Sequence, residues 1–134
     1  MVGYSGTPLA TKLGIKGGCE MHIRGAPDDY FELIGPLPED LKVAACLSKN
    51  TDIVHIFASR RTELAEALSS YRANIKPTAM VWVSWPKKSS KIPTDITEDT
   101  VREVALPLGF VDIKVCAVTD VWSGLKLVVR KELR

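Results

Sequence analysis

The chain has 134 residues, 46% of them apolar and 25% charged, and its 18 basic and 16 acidic side chains leave a net charge of +2. That length suits a single α/β domain over residues 1–134, able to bury a core without disulfides or metals. So small a net charge gives no global electrostatic case for nucleic acid, and no apolar run approaches the roughly 20 residues that span a bilayer.

Residues 1–18 are punctuated by glycines, with no basic or apolar leader among the first eight, so no signal peptide is read there. Within them, Thr7 to Gly14 predicts a short helix: Thr7 as cap, Pro8 at the first position, Gly14 as stop. Leu9 and Leu13, one turn apart, would face the body of the domain. Residues 19–23 alternate weakly and predict a first strand. Asp28 and Asp29 then open a helix over residues 30–34, closed by Gly35-Pro36-Leu37-Pro38. Residues 41–47 predict a second strand, at an edge. Residues 52–58 predict a third, its nearly continuous apolar run asking for cover on both faces. Leu64, Ala65, Leu68 and Tyr71 recur at helical spacing within residues 62–73.

Residues 75–91 organise the rest. Pro77 cannot continue the preceding helix, and the apolar run 80–83 is too short for a helix, so a buried strand is predicted over 79–84. Pro86 is expected to stop its ladder, and Lys87, Lys88, Ser89, Ser90 and Lys91 follow as a basic loop. Residues 94–99 carry helix-start chemistry, and the helix presents Val101, Val104, Ala105 and Leu108 before fraying at Pro107. A long strand over 111–118, a turn over 120–124 and a last strand over 125–129 close the chain. Alternating strands and helices predict an open, mostly parallel sheet of about six strands, helices on both faces, with a C-terminal antiparallel hairpin.

From Asp52 onward the segments 52–57, 63–83, 97–103 and 109–115 resemble, in topology, the C-terminal half of a class I methyltransferase-like Rossmann domain. The resemblance implies a site for an adenosyl cofactor, served by a glycine-rich turn after the first strand and an acidic residue ending the second. The first strand here runs into Arg24-Gly25-Ala26-Pro27-Asp28-Asp29-Tyr30, and the second ends Leu47-Ser48-Lys49-Asn50 without a carboxylate. Proline removes an amide donor, and the two aspartates repel an anionic group. About one strand–helix unit is also missing. The expectation is therefore no cofactor. The motifs Tyr4-Ser5-Gly6-Thr7-Pro8-Leu9, Gly35-Pro36-Leu37-Pro38, Trp85-Pro86-Lys87-Lys88 and Val121-Trp122-Ser123-Gly124-Leu125-Lys126 resemble a small bacterial family of unknown function, a likeness that implies no activity.

In such a sheet, ligands bind beyond the carboxyl ends of the strands. Arg60, Arg61, Lys87, Lys88 and Lys91 could share that rim with Trp85 and Trp122. Arginine offers a fork for carboxylate or phosphate, lysine a mobile charge, and tryptophan a stacking face. The plainer reading is a solvated loop with the tryptophans packed as lids. His22 and His55 read as satisfied mid-strand residues rather than bases, and Asp95, Glu98 and Asp99 as helix-start residues. Cys19, Cys46 and Cys116 are odd in number and lack zinc-ligand spacing, which predicts buried free thiols, no metal and a reducing cytoplasm. The function expected is a non-catalytic binding or regulatory module, taking an anionic small molecule or a protein partner on the basic rim, with the edge strand 41–47 the place where a second copy could pair. A divergent S-adenosylmethionine-dependent methyltransferase is the alternative. Nucleic-acid binding comes third, weakened by the near-neutral charge.

Overall fold

The computed structural model describes residues 8–134, so the expected Thr7 cap and most of the Tyr4–Leu9 motif lie outside the described residues. Six strands form one sheet in the order β2-β1-β3-β4-β6-β5: β1 Glu20–Arg24, β2 Lys42–Ala44, β3 Ile53–Phe57, β4 Met80–Pro86, β5 Phe110–Ala117 and β6 Trp122–Val129. The pairs β2–β1, β1–β3 and β3–β4 are parallel, and β6 runs antiparallel to both of its neighbours. The expected hairpin is therefore present, with its second strand entering the sheet beside β4.

Period-two alternation sends successive residues of each central strand to opposite faces. Val54 and Ile56 of β3, with Val81, Val83 and Trp85 of β4, pack under α3 (Arg61–Asn74) and α4 (Glu98–Ala105), against Leu64, Leu68, Tyr71 and Val101. Ile53, Phe57 and Trp82 pack on the other face with Leu13, Met21, Tyr30 and Ile34, under α1 (Leu9–Lys12) and α2 (Tyr30–Ile34). All five residues of β3 are buried, which is why its sequence reads as an unbroken apolar run. The Trp82 indole N–H donates to Leu13 O at 2.8 Å and ties α1 to the sheet.

Several boundaries differ from the sequence reading. The second strand ends at Ala44, so Cys46 is exposed rather than buried, and Cys19 and Cys116 are only partly buried. The strand β4 runs on through Pro86. The Lys87 amide turns to β6, donating to Val121 O at 2.7 Å, so the Pro86 nitrogen turns toward β3, whose pairing has already ended at Phe57. A missing N–H costs nothing there. Trp122, Ser123 and Gly124, expected as a turn, are the first residues of β6. A Cβ on Gly124 would lie 2.9 Å from Val118 and 3.4 Å from Trp82, so that glycine is set by close packing rather than by a turn. After α4, Pro107 sits in a 3₁₀ turn, Leu106–Leu108.

Candidate functional site

Among the described residues, two of the hollows lie at the carboxyl ends of the parallel strands. The first, about 330 Å³, lies between the end of β4 and the start of α4, and is lined by Trp85, Pro86, Lys87, Lys88, Thr94, Ile96, Thr97, Glu98 and Ser123. The chain reaches it because Lys88–Ser90 form a 3₁₀ turn, stabilised by Ser90 Oγ donating to Lys87 O at 2.6 Å, and Lys91 takes the left-handed conformation (φ 62°). The returning segment is pinned where Thr94 Oγ1 donates to Ser59 O at 2.7 Å. Thr97 then caps α4 in a reciprocal box with Thr100.

Electrostatically the hollow sets two lysines against one carboxylate, Glu98. Glu98 Oε2 is held by the Arg102 guanidinium at 2.5 Å, and Asp99 by the same group at 3.2 Å. Asp95 Oδ1 accepts the Arg61 amide at 2.6 Å, so it caps α3 rather than starting α4. The acidic side chains of the region are thus tied within the fold. Among the described residues, none of the ion pairs involves Lys87, Lys88 or Lys91.

Of the seven residues expected on the rim, Trp85, Lys87 and Lys88 line this hollow. Trp85 is only 6% exposed and packs in the α3/α4 face, so it offers an edge and not an open stacking surface. Trp122 lies on the opposite face, edge-on to Phe57 with ring centroids 5.0 Å apart, so the two tryptophans do not share a wall. The Arg61 guanidinium is paired with Glu103 at 3.0 Å, Arg60 precedes α3, and Lys91 stands exposed beyond the turn. Thr94, Ile96, Thr97 and Ser123 were not singled out from sequence. Their signal was absorbed by the helix-start and turn readings.

The second hollow, about 380 Å³, lies beyond β1 and β2, where the methyltransferase-like resemblance would put a cofactor; its lining includes Ile23, Ala26, Asp28, Tyr30, Phe31 and Val43. The residues there do not fit an adenosyl group held by backbone amides. Gly25 has φ +71°, but the space a Cβ would take is filled by Phe57 O at 2.7 Å, so this glycine lets β1 pack against β3 and frees no cradle. Pro27 offers no donor, and no carboxylate ends β2. Tyr30, on the wall, bonds to His55 Nδ1 at 2.9 Å, whose Nε2 bonds to Ser84 Oγ at 2.7 Å. Burial pushes the imidazole down to about 3, so it is neutral, and satisfied as the sequence reading held. Among the described residues no cluster of three metal-ligating side chains occurs.

No family model and no curated protein matches the chain. Solved structures do match. A SAM dependent methyltransferase from Aquifex aeolicus superposes with a TM-score of 0.65 over 90% of this chain and 87% of its own, at 14% identity. The fold is methyltransferase-like. A putative type 11 methyltransferase from Sulfolobus solfataricus gives a TM-score of 0.59 over 92% of this chain and 90% of its own, at 12% identity. Aeropyrum pernix fibrillarin, in a complex with natively bound S-adenosyl-L-methionine, gives 0.59 over 90% and 73%, at 11% identity. At such identities the likeness extends to the methyltransferase-like fold and not to its chemistry.

Proposed function

We propose that the chain is a non-catalytic binding module which takes a small anionic ligand, bearing phosphate or carboxylate, in the hollow between Trp85 and Glu98. One observation carries this reading: Lys87 and Lys88 line a cavity without pairing to its acidic neighbours, Glu98 being engaged by Arg102 and Asp95 by the Arg61 amide. Ammonium groups without an ion-pair partner, set against a low-dielectric wall of Trp85, Pro86 and Ile96, attract an anion more strongly than the same charges in open water. Thr97 and Ser123 contribute hydroxyls to the same wall. The one carboxylate on that wall, Glu98, is engaged by Arg102, and no histidine or cysteine lines it with the lysines, which favours binding over turnover. With three free thiols, the reading places the protein in a reducing compartment, as a cytoplasmic protein would be.

The test is a thermal-shift and calorimetry panel of inorganic phosphate, nucleotides, S-adenosylmethionine and S-adenosylhomocysteine. A ligand at a hundred times its Kd should stabilise the fold by about 2.7 kcal/mol. Phosphate-bearing compounds are expected to bind, more weakly as salt rises, and to lose about tenfold or more in affinity in Lys87→Ala/Lys88→Ala without a change in the ligand-free melting temperature. Silence from every anion would sink the reading. The second reading, a divergent S-adenosylmethionine-dependent transferase, draws on the 380 Å³ hollow beyond β1 and β2. It expects saturable binding of the adenosyl compounds alone, indifferent to the two lysines.

A further inference from the structure

Among the described residues, strand β2 is an edge of the sheet, paired with β1 alone. The Lys42 amide donates inward to Cys19 O at 3.0 Å. Backbone groups of successive residues in a strand turn to alternate sides, so the N–H and C=O of Val43 turn away from β1. The Val43 side chain stands in register with Met21, on the face that carries Tyr30, and is 46% exposed. Phe31 on α2 is 51% exposed, and both side chains line the 380 Å³ hollow together with Ile23 and Ala26. An apolar hollow continuous with open backbone donors and acceptors is the surface that strand addition uses.

The charges around it have one sign. Asp28 lines the hollow, and the exposed Asp29 and Glu32 flank its wall residues Tyr30 and Phe31 along the chain. The nearby cations are engaged elsewhere. Lys42 alternates to the opposite face and lies 3.4 Å from Glu20, and Arg24, in register with Ile56, alternates to the α3 face as well.

We propose that this edge docks an extended segment of a protein partner, laid along β2 as an added strand, with an apolar side chain in the hollow and lysine or arginine beside it. Its main chain meets the N–H and C=O of Val43, its apolar side chain fills the space between Phe31 and Val43, and its cations face Asp28, Asp29 and Glu32. This docking is independent of Lys87 and Lys88.

The experiment is a selection of random twelve-residue peptides displayed on phage against the immobilised protein, followed by fluorescence anisotropy with the selected peptides, synthesised and labelled. Enriched sequences are expected to carry Val, Ile, Leu or Phe flanked by Lys or Arg. Their affinity should fall about tenfold or more in Val43→Pro, which removes an outward amide without touching the β1 ladder, and in Asp28→Lys/Glu32→Lys. It should be unchanged in Lys87→Ala/Lys88→Ala. The two acidic positions are exposed, so the charge-reversal variant should keep the melting temperature even if the proline variant does not. Three results would overturn the proposal. One is no enrichment of such sequences, or enriched peptides that bind both variants as well as the parent. Another is a sedimentation profile in which the parent is a dimer that Val43→Pro separates, since a second copy would then own the edge. The last is displacement of the selected peptides by S-adenosylmethionine, which would make the hollow a small-molecule site.

Discussion

At the scale of single residues the buried imidazole of His55 is the most informative group. Its folded pKa, about 3, lies below the ordinary 6.5, so the unfolded chain takes up the proton first. The stability contributed by keeping it neutral is complete above about pH 6.5 and is lost as pH falls toward 3, at a slope nearing 1.36 kcal/mol per unit. Asp52, bonded to Lys76, and Asp112, bonded to Arg102, have lowered values and add to the loss only in more acid solution. Between pH 7.5 and 4.5 the parent chain should lose roughly 2 to 3 kcal/mol from this group, read from urea midpoints, whereas His55→Gln should lose much less over the same span. Equal losses in the two proteins would reject the assignment. The sequence foretold a satisfied core histidine here, because an imidazole inside a β-branched run needs partners on both nitrogens. It could not name Tyr30 and Ser84, which lie 25 and 29 residues away along the chain. His22 follows the same rule on the α3 face. Its Nδ1–H donates to Ala44 O at 3.0 Å, a carbonyl that can only accept, and in the neutral ring its Nε2 accepts from the Tyr71 hydroxyl at 3.0 Å.

Among elements, the two helices of the α3/α4 face begin in a linked way. The cap of α4 is local, Thr97 with Thr100, and was legible in the run from Thr94 to Asp99. The first amide of α3 is satisfied from 34 residues away by Asp95, which sequence assigned to the nearer helix. Asp95→Ala should therefore cost about 1 kcal/mol, the usual worth of a helix-terminal acceptor, and speed hydrogen exchange at residues 61–63 while sparing 98–100. Faster exchange confined to the start of α4 would contradict that placement. The same lesson holds for strands. The segments 30–34 and 53–57 were read nearly to the residue, since dense local patterning fixes them. Pro86 and Gly124 misled because their usual meanings, stop and turn, are properties of an isolated segment. Here tertiary context makes each tolerable in a ladder: the Pro86 nitrogen faces the side where β3 pairing has ended, and Gly124 gives room to Val118 and Trp82. The rim was half legible for a related reason: topology placed Lys87 and Lys88 at a strand end, but strand alternation, which sends Trp85 and Trp122 to opposite faces, depends on where β6 begins.

For the molecule as a whole, protection should follow distance from the sheet's edges. The backbone of β3, flanked by strands and covered on both faces, should exchange only through global unfolding. The three-residue β2 and the bulged β5, irregular between Asp112 and Lys114 with Ile113 56% exposed, should open locally and faster. Mass-resolved exchange in which β2 matches β3 would overturn this gradient. The position of β6 carries a further consequence, for synthesis. The right-hand neighbour of β4 is the last strand of the six to be translated, so roughly forty residues must follow Pro86 before that side can close. At ordinary elongation rates the nascent sheet then waits about two to eight seconds with the apolar flank of β4 uncovered beside the ribosome. A chain built this way places its period of greatest exposure during translation, when a nascent-chain chaperone is best situated to shield Trp82 and Trp85 until β6 arrives.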